Sequence, residues 1–309
     1  MSLSPKTARW LDANCPGRLQ GKTVLVTGAN SGIGFKTAET MVYLGAKVIL
    51  ACRNGEKAEA ARSALAREYP GACVSVMKLD LADLSSVDAF AETLRKENTD
   101  IDAFVNNAGV FHHPGRKTAD GFELVLGTNY IGVYALCERI LPYLASLPHE
   151  ATCINTVSLI HKAARRIDYE DFWFEKHYRN IAVYARSKLC LAKYTWALAQ
   201  RCAGTNVRAV MNHPGIAVTP LGLNAYGFPD SRAVRFFSRF FNSPEKSSLS
   251  VAWILSHDPE PGSVTGPKKF FGGWGYPEKN RVSKKVKTGA GELIRFTDAE
   301  IAKAHHPEG

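Results

Sequence analysis

The sequence lacks the features that would carry a chain into a membrane or staple it covalently. No apolar run approaches the ~18 residues that a spanning helix needs. No apolar core followed by a cleavage site stands at the amino end, so nothing marks secretion. The seven cysteines, at positions 15, 52, 73, 137, 153, 190 and 202, form no C-x-x-C pair. An odd, scattered set of this kind reads as reduced thiols used as small hydrophobes. Internal repeats and low-complexity tracts are missing too. Metal-ligand spacing is absent apart from His112-His113, a pair with no supporting cluster, so no metal is expected. A soluble, cytoplasmic protein is the expectation.

What is present is ordinary globular material. The chain has 309 residues, 45% of them hydrophobic and 22% charged, enough for one α/β domain of roughly 250 residues with short extensions. A net charge of +10 admits nucleic acid, an anionic membrane or an anionic cofactor; no nucleic-acid-binding module is recognisable, and no nucleic-acid partner is expected. Part of the excess is local. Lys279, Arg281, Lys284, Lys285 and Lys287 have no acid among them between 279 and 287, which describes either a solvated tail or a docking patch.

Apolar, β-rich runs at 23–27, 47–52, 74–79, 102–106, 151–158, 207–212 and near 270 alternate with helical patterns. The helices fall at about 33–44, 55–68, 85–96, 121–145, 181–202 and 244–256. Strands that are apolar throughout, separated by helices, predict a mainly parallel, seven-stranded, doubly wound α/β sheet with helices on both faces. Ligands of such a sheet sit beyond the carboxyl ends of its strands. Residues 1–20 read as a polar lead-in, 21–275 as the domain and 276–309 as a basic extension.

The strand ends carry the chemistry. Thr27-Gly28-Ala29-Asn30-Ser31-Gly32-Ile33-Gly34 follows an apolar strand and opens a helix. Glycines there let backbone N–H groups approach a pyrophosphate at the positive helix end. The second strand ends Cys52-Arg53-Asn54, without the carboxylate that an NAD site of this kind places on the ribose 2′-hydroxyl. Arg53 instead offers a planar fork to a 2′-phosphate, so NADP(H) is favoured. Asp80, followed by Leu81, either accepts a hydrogen bond from an adenine amino group or caps a helix. Asn106-Asn107-Ala108-Gly109 ends the fourth strand, with amides able to reach both cofactor and neighbouring strand. Tyr184-Ala185-Arg186-Ser187-Lys188 lies in a helical run free of Gly and Pro. A spacing of four puts phenol and ammonium on one face, where Lys⁺ favours the phenolate. The pair is a tuned acid/base or an ordinary solvated face; the company it keeps favours the first.

TGANSGIG at 27–34, NNAG at 106–109, Ser158 and YARSK at 184–188, in this order, resemble the short-chain dehydrogenase/reductase family over roughly residues 20–275. Gly21–Thr27, Ala51-Cys52-Arg53, the run 117–123 and 184–189 are similar to its retinol dehydrogenase branch, which uses NADP(H) on lipophilic alcohols and carbonyls. The resemblance implies a Rossmann-type fold and roles at matching positions. Tyr184 is the proton donor or acceptor, Ser158 bonds the reacting oxygen, and Lys188 binds the nicotinamide ribose. Asn129 holds a water that relays protons. Gly28, Asn30, Ser31, Gly32, Ile33, Gly34, Arg53, Asp80, Leu81, Asn107, Ala108 and Gly109 line the cofactor. Pro214, Gly215 and Thr219 lie beside its nicotinamide. Strand five ends Thr156-Val157-Ser158, where the family has two adjacent serines; Ser158 matches the second.

The resemblance further implies a small apolar alcohol or carbonyl substrate, retinoid- or steroid-like, and a homodimer or homotetramer paired through the helices bearing Asn129 and Tyr184. The membrane-anchored retinol dehydrogenases carry an N-terminal apolar anchor and none is read in residues 1–20, so steroids and other apolar ketones are expected as much as retinol. Residues 232–241, four phenylalanines with arginines elsewhere on the helix, predict a lid within 220–245, a surface helix packed on the core, or an interfacial helix with weak membrane contact. Aromatics at 169–174 line the substrate pocket or pack in the core. A 3-oxoacyl reductase and a non-catalytic NADP(H) sensor on the same scaffold are the alternatives.

Overall fold

Strands buried on both faces must be covered on both, and this requirement organises the chain. The computed structural model describes residues 2–15, 19–111, 113–164, 166–216 and 242–305. Its strands are β1 (Thr23–Thr27), β2 (Lys47–Cys52), β3 (Val74–Lys78), β4 (Ala103–Asn106), β5 (Ala151–Thr156), β6 (Val207–Asn212), β7 (Val264–Lys268) and β8 (Trp274–Asn280). They form one sheet in the order β3-β2-β1-β4-β5-β6-β7-β8. Neighbouring strands pair in parallel from β3 through β7, and β8 closes the edge antiparallel to β7.

The strand expected near Phe270 is instead a helical turn, Lys269–Gly272, joining β7 to the additional strand β8. A two-residue aromatic run cannot distinguish these states by periodicity. Gly272, at φ +90°, lets the chain reverse there.

One face of the sheet packs against α1 (Pro5–Asn14), α2 (Gly32–Tyr43), α3 (Gly55–Glu68) and α8 (Pro244–His257). The other packs against α4 (Leu84–Lys96), α6 (Gly132–Ser146) and α7 (Asn180–Arg201). The segment predicted as one helix over 121–145 is three pieces. A short α5 (Leu124–Leu126) leads into a π-helical turn, Gly127–Ile131, and then into α6. Such turns insert a residue into the helical ladder and often occur at functional sites; Asn129 is at the centre of this one.

Segments near both ends of the chain pack on the core. The predicted lead-in contains α1, with Leu3, Leu11 and Cys15 buried. At the other end α9 (Ala290–His305) packs on α7, burying Leu293 and Thr297. Tyr130 and Thr297 hydroxyls share a 2.7 Å hydrogen bond, Tyr134 donates to Asp298 at 2.5 Å, and the Trp173 indole donates to Glu300 at 3.1 Å. The aromatics of 169–174 follow the core alternative. Phe172 is fully buried with its ring 4.7 Å from that of Phe296, and Trp173 stacks on Phe122 at 5.0 Å.

If α9 is part of the cooperative unit, Leu293→Ala should lower unfolding free energy by about 3 kcal/mol, the cost of a buried leucine truncation. Urea unfolding checks this. A loss near zero would mean that α9 frays independently of the sheet.

Candidate active site

From β1 the strand order runs to β2 and β3 on one side, and from β4 it runs the other way to β5 and beyond, so a crevice opens between the carboxyl ends of β1 and β4. Two sequence motifs meet there. The Thr27 hydroxyl accepts from the Asn107 and Ala108 amides at 3.0 and 2.9 Å, and the Asn107 side-chain amide donates to the Thr27 carbonyl at 3.0 Å. The glycine turn is packed into this junction. A Cβ at Gly34 would come within 2.3 Å of the Gly28 carbonyl and 2.4 Å of the Asn107 amide nitrogen. Gly32 is the opposite case: its φ is +57°, and a Cβ would meet nothing within 4 Å. The space is therefore open where the α2 amino end points. Ser31 stands at the N-cap without a capping hydrogen bond, and the first turn contains no acid. The positive end of α2 is thus left for an exogenous anion, so the turn fits the diphosphate of a dinucleotide.

A cleft of about 560 Å³ runs from this turn to α7. It is lined by Gly28, Asn30, Ser31, Gly32, Ile33, Gly34, Arg53, Asp80, Leu81, Asn107, Ala108, Gly109, Ser158, Tyr184, Lys188, Pro214 and Gly215. These residues come from the ends of six strands and from one helix, α7, and were all proposed from sequence. Thr219, His112 and the segment 232–241 lie outside the described residues. His113 does not line the cleft.

At the dinucleotide end Arg53 is exposed, with its Nε 3.9 Å from an Asp80 oxygen. Asp80 is not a helix cap: Asp83 caps α4, accepting from the Ser85 and Ser86 amides, while Asp80 accepts from Ala82 N at 2.9 Å. The capping alternative for Asp80 therefore falls. Lys57 also lines this end and was missed in the sequence. Its signal was available, since a lysine in the first turn of α3 lies close to Arg53, but it reads like any surface lysine.

At the other end α7 delivers Tyr184 and Lys188. Lys188 is 4% exposed, and its ammonium donates to the Thr156 carbonyl at 2.9 Å. Burial lowers its pKa to about 8. That ammonium is 5.9 Å from the centre of the Tyr184 ring. Tyr184 is half-buried, and its ring meets Phe111 edge-on at 4.9 Å. Ser158 is half-buried two residues past β5, and its hydroxyl accepts weakly from Ile160 N at 3.4 Å. It both faces the cleft and caps the short 3₁₀ turn Leu159–Ala163. Thr156 ends β5 with its carbonyl accepting from Lys188, and Thr156 and Ser158 both line the cleft.

Asn129 is fully buried behind Gly109. Its Oδ1 accepts from Val110 N at 2.7 Å, and its Nδ2 donates to Val110 O at 2.9 Å and Ser187 Oγ at 3.3 Å. Ser187 Oγ in turn donates to the Tyr184 carbonyl at 2.8 Å. One asparagine thereby ties the end of β4 to the helix carrying Tyr184 and Lys188. A Cβ on Gly109 would fall 3.0 Å from Asn129 Oδ1 and 3.8 Å from Lys188 Nζ. Pro214 and Gly215 close the floor. The Asn242 side chain donates to Pro214 O at 3.3 Å, and His213 Nδ1 accepts from Gly215 N at 3.2 Å. Burial holds the His213 pKa down to about 4, so its ring is neutral.

Residues 22–226 match the sequence model described as short chain dehydrogenase. Retinol dehydrogenase 14 from Mus musculus is 41% identical over 284 residues, which cover 87% of this chain and 82% of that one. Retinol dehydrogenase 13 from the same species is 39% identical over 267 residues, 84% of this chain and 78% of that one. A crystal structure of an uncharacterised Mycobacterium paratuberculosis protein superposes with a TM-score of 0.71 at 32% identity, covering 92% of this chain and 94% of the other.

The buried ammonium makes a prediction that needs no substrate. Lys188 has a folded pKa near 8 against an ordinary 10.5, so between these values the unfolded chain binds the extra proton and stability rises with pH. Below about pH 8 the full penalty is present. Lys188→Met should therefore be more stable than the parent at neutral pH, by about 1–3 kcal/mol. The gap should close as pH climbs toward 10. Denaturant melts of both proteins across that range test it; a gap independent of pH would reject the desolvation penalty.

Proposed function

The chain belongs to the short-chain dehydrogenase family, in its retinol dehydrogenase-like branch, and on that footing we propose an NADP(H)-dependent interconversion of a lipophilic alcohol with its ketone or aldehyde. Family membership makes it an oxidoreductase acting on CH–OH groups with a nicotinamide cofactor. The finer assignments rest on the cleft.

The observation that carries the reading is the buried Lys188 ammonium beside Tyr184 in a cleft that also holds Ser158 and the glycine turn. When bound, the nicotinamide supplies or accepts the hydride. The chain does the rest. Tyr184 hands a proton to the carbonyl oxygen in reduction and removes it in oxidation. Ser158 donates a hydrogen bond to the same oxygen and orients it. The Lys188 ammonium stabilises negative charge on the phenol, and its place near the cleft floor suits a contact with ribose hydroxyls. Asn129 holds Gly109–Val110 and α7 in register, which suits the water-relay position that the resemblance implies.

NADP(H) is supported by Arg53 and Lys57 at the adenosine end, where a second-strand carboxylate is missing. Two cations suit a 2′-phosphate better than a ribose hydroxyl. A lipophilic substrate is supported by Phe111, Val110 and Ile216 in the same cleft, Ile216 being 42% exposed. Retinol enters through the names of the relatives alone, and steroid-like carbonyls suit the apolar lining equally. Pairing through the helices bearing Asn129 and Tyr184 would compete with α9, which already packs there within one chain, so we expect no dimer through that face.

Purified protein with NADPH or NADH, assayed on retinoid, steroid and aliphatic carbonyls, tests the proposal. Tyr184→Phe should lower kcat by about 10²- to 10⁴-fold, the usual contribution of a general acid. Arg53→Ala should raise KM for NADPH about tenfold, as expected for a lost charged hydrogen bond, and leave NADH little changed. Cofactor binding without turnover on any carbonyl or alcohol would favour a sensor, and a preference for NADH would remove the role given to Arg53.

A further inference from the structure

A second concavity, remote from the glycine turn, carries an unusual charge. It is a groove of about 770 Å³ between α7, the loop entering β7 and the chain leaving β8. Lys162, Lys279, Arg281, Lys284 and Lys287 line it against one carboxylate, Glu260. That carboxylate is taken, since Lys279 Nζ is 2.7 Å from it. Among the described residues no acid pairs with Lys162, Arg281, Lys284 or Lys287. Cations gathered around one concavity repel each other, and an anion between them relieves that repulsion.

The basic run is held in place, unlike a solvated tail. The neighbouring Lys285 reaches back to donate to the Lys162 and Ala164 carbonyls at 3.2 and 2.6 Å. Val286 is buried, and Lys193 donates to the Thr288 carbonyl just beyond. Lys162 and Lys284–Lys287 are therefore fixed to the same piece of backbone. Trp196 supplies an apolar wall with the Lys287 ammonium 4.5 Å from its ring centre. The wall also includes Ser263, which is 6% exposed and whose hydroxyl has no hydrogen-bond partner among the described residues. A buried hydroxyl left unpaired is costly unless something completes it.

We propose that this groove binds a compact polyanion bearing phosphate esters, at a site separate from the nicotinamide cofactor. A single carboxylate would neutralise only one of four unpaired cations, whereas a polyphosphate meets several, and the guanidinium fork of Arg281 matches phosphate oxygens. The volume is that of a small-molecule site; an extended acidic protein surface would call for a broad basic patch. Two sources offer this chemistry: a soluble phosphorylated metabolite and the headgroup of a phosphoinositide.

The test titrates inorganic tripolyphosphate into the full chain by calorimetry, with and without saturating NADPH, so that binding at the glycine turn is separated from binding here. In parallel, the chain is sedimented with phosphatidylcholine vesicles that contain or lack phosphatidylinositol bisphosphate. The triple variant Arg281→Gln, Lys284→Gln, Lys287→Gln should lose affinity for the bound form about tenfold or more. Exposed Lys284→Gln alone should lose a smaller part. NADPH binding by the variants, read by fluorescence, reports that they fold. Tripolyphosphate binding in the presence of NADPH, weakened by the variants, supports a soluble ligand. Capture on phosphoinositide vesicles alone, again lost in the variants, supports a lipid headgroup. Absence of both, or binding that the triple variant retains, overturns the proposal. Failure of NADPH to bind the parent would count against the cofactor reading and leave this titration interpretable.

Discussion

One buried ammonium, unfavourable to the fold by itself, fixes how helix and sheet meet at the cleft. Lys188 sits at 4% exposure with a backbone carbonyl of β5 as its partner. Taking that charge out of water is unfavourable, as its lowered pKa records. A charge tolerated at such cost is kept where chemistry needs it. The surrounding elements follow from this placement. β5 must end where Thr156 can present its carbonyl, and α7 must lie close enough for Lys188 to reach it. Tyr184, one turn earlier, is thereby brought to the cleft on the same helical face.

Holding α7 to the sheet takes polar contacts inside an apolar core. The Asn106 side chain donates to Asn155 at 2.8 Å, and Asn155 donates to Thr195 of α7 at 2.9 Å. Asn129 adds a second link from β4 to α7 through Ser187. In low dielectric these bonds are strong when made and costly when broken, so they specify the distance between helix and strands more sharply than apolar packing does. Asn129 makes its bonds to Val110 and Ser187 from the centre of the π turn, a distortion that often marks functional sites.

What was legible in the sequence depended on how local the physical cause was. The glycine turn, NNAG, Ser158, Tyr184 and Lys188 sit at strand ends or one helical turn apart, so short spacings encode them, and residues of every one of these motifs line one cleft. The sheet was legible because strands buried on both faces are apolar throughout. Lys57 was passed over although it is only four residues from Arg53, because a lysine in the first turn of a helix reads like any surface lysine. The π turn escaped because its residues have helical periodicity on both sides. Chain ends were hardest. A polar segment such as Pro5–Asn14 buries only a few residues, Thr7 and Leu11 among them, and composition cannot show that a neighbour awaits them. Aromatics at 169–174 gave no hint of their partners because Phe296 and Glu300 lie more than a hundred residues away.

The position of α9 has a further consequence. Tyr130 and Tyr134 follow Asn129, in the π turn and in α6, and both hydroxyls are bonded to α9. Burial raises the Tyr130 and Tyr134 pKa values far from neutrality, so these phenols act as fixed hydrogen-bonding groups and not as proton carriers. In a chain without α9, the same aromatic and hydroxyl surface would face water and would need another covering, most simply a second subunit. Supplying that cover from the chain's own carboxyl end makes the rigidity of the Asn129 helix independent of protein concentration. The same stretch of chain, between β8 and α9, carries the basic groove. Lys285 ties that stretch to the Lys162 and Ala164 carbonyls, so an anion bound there would rest on the backbone that continues from Ser158.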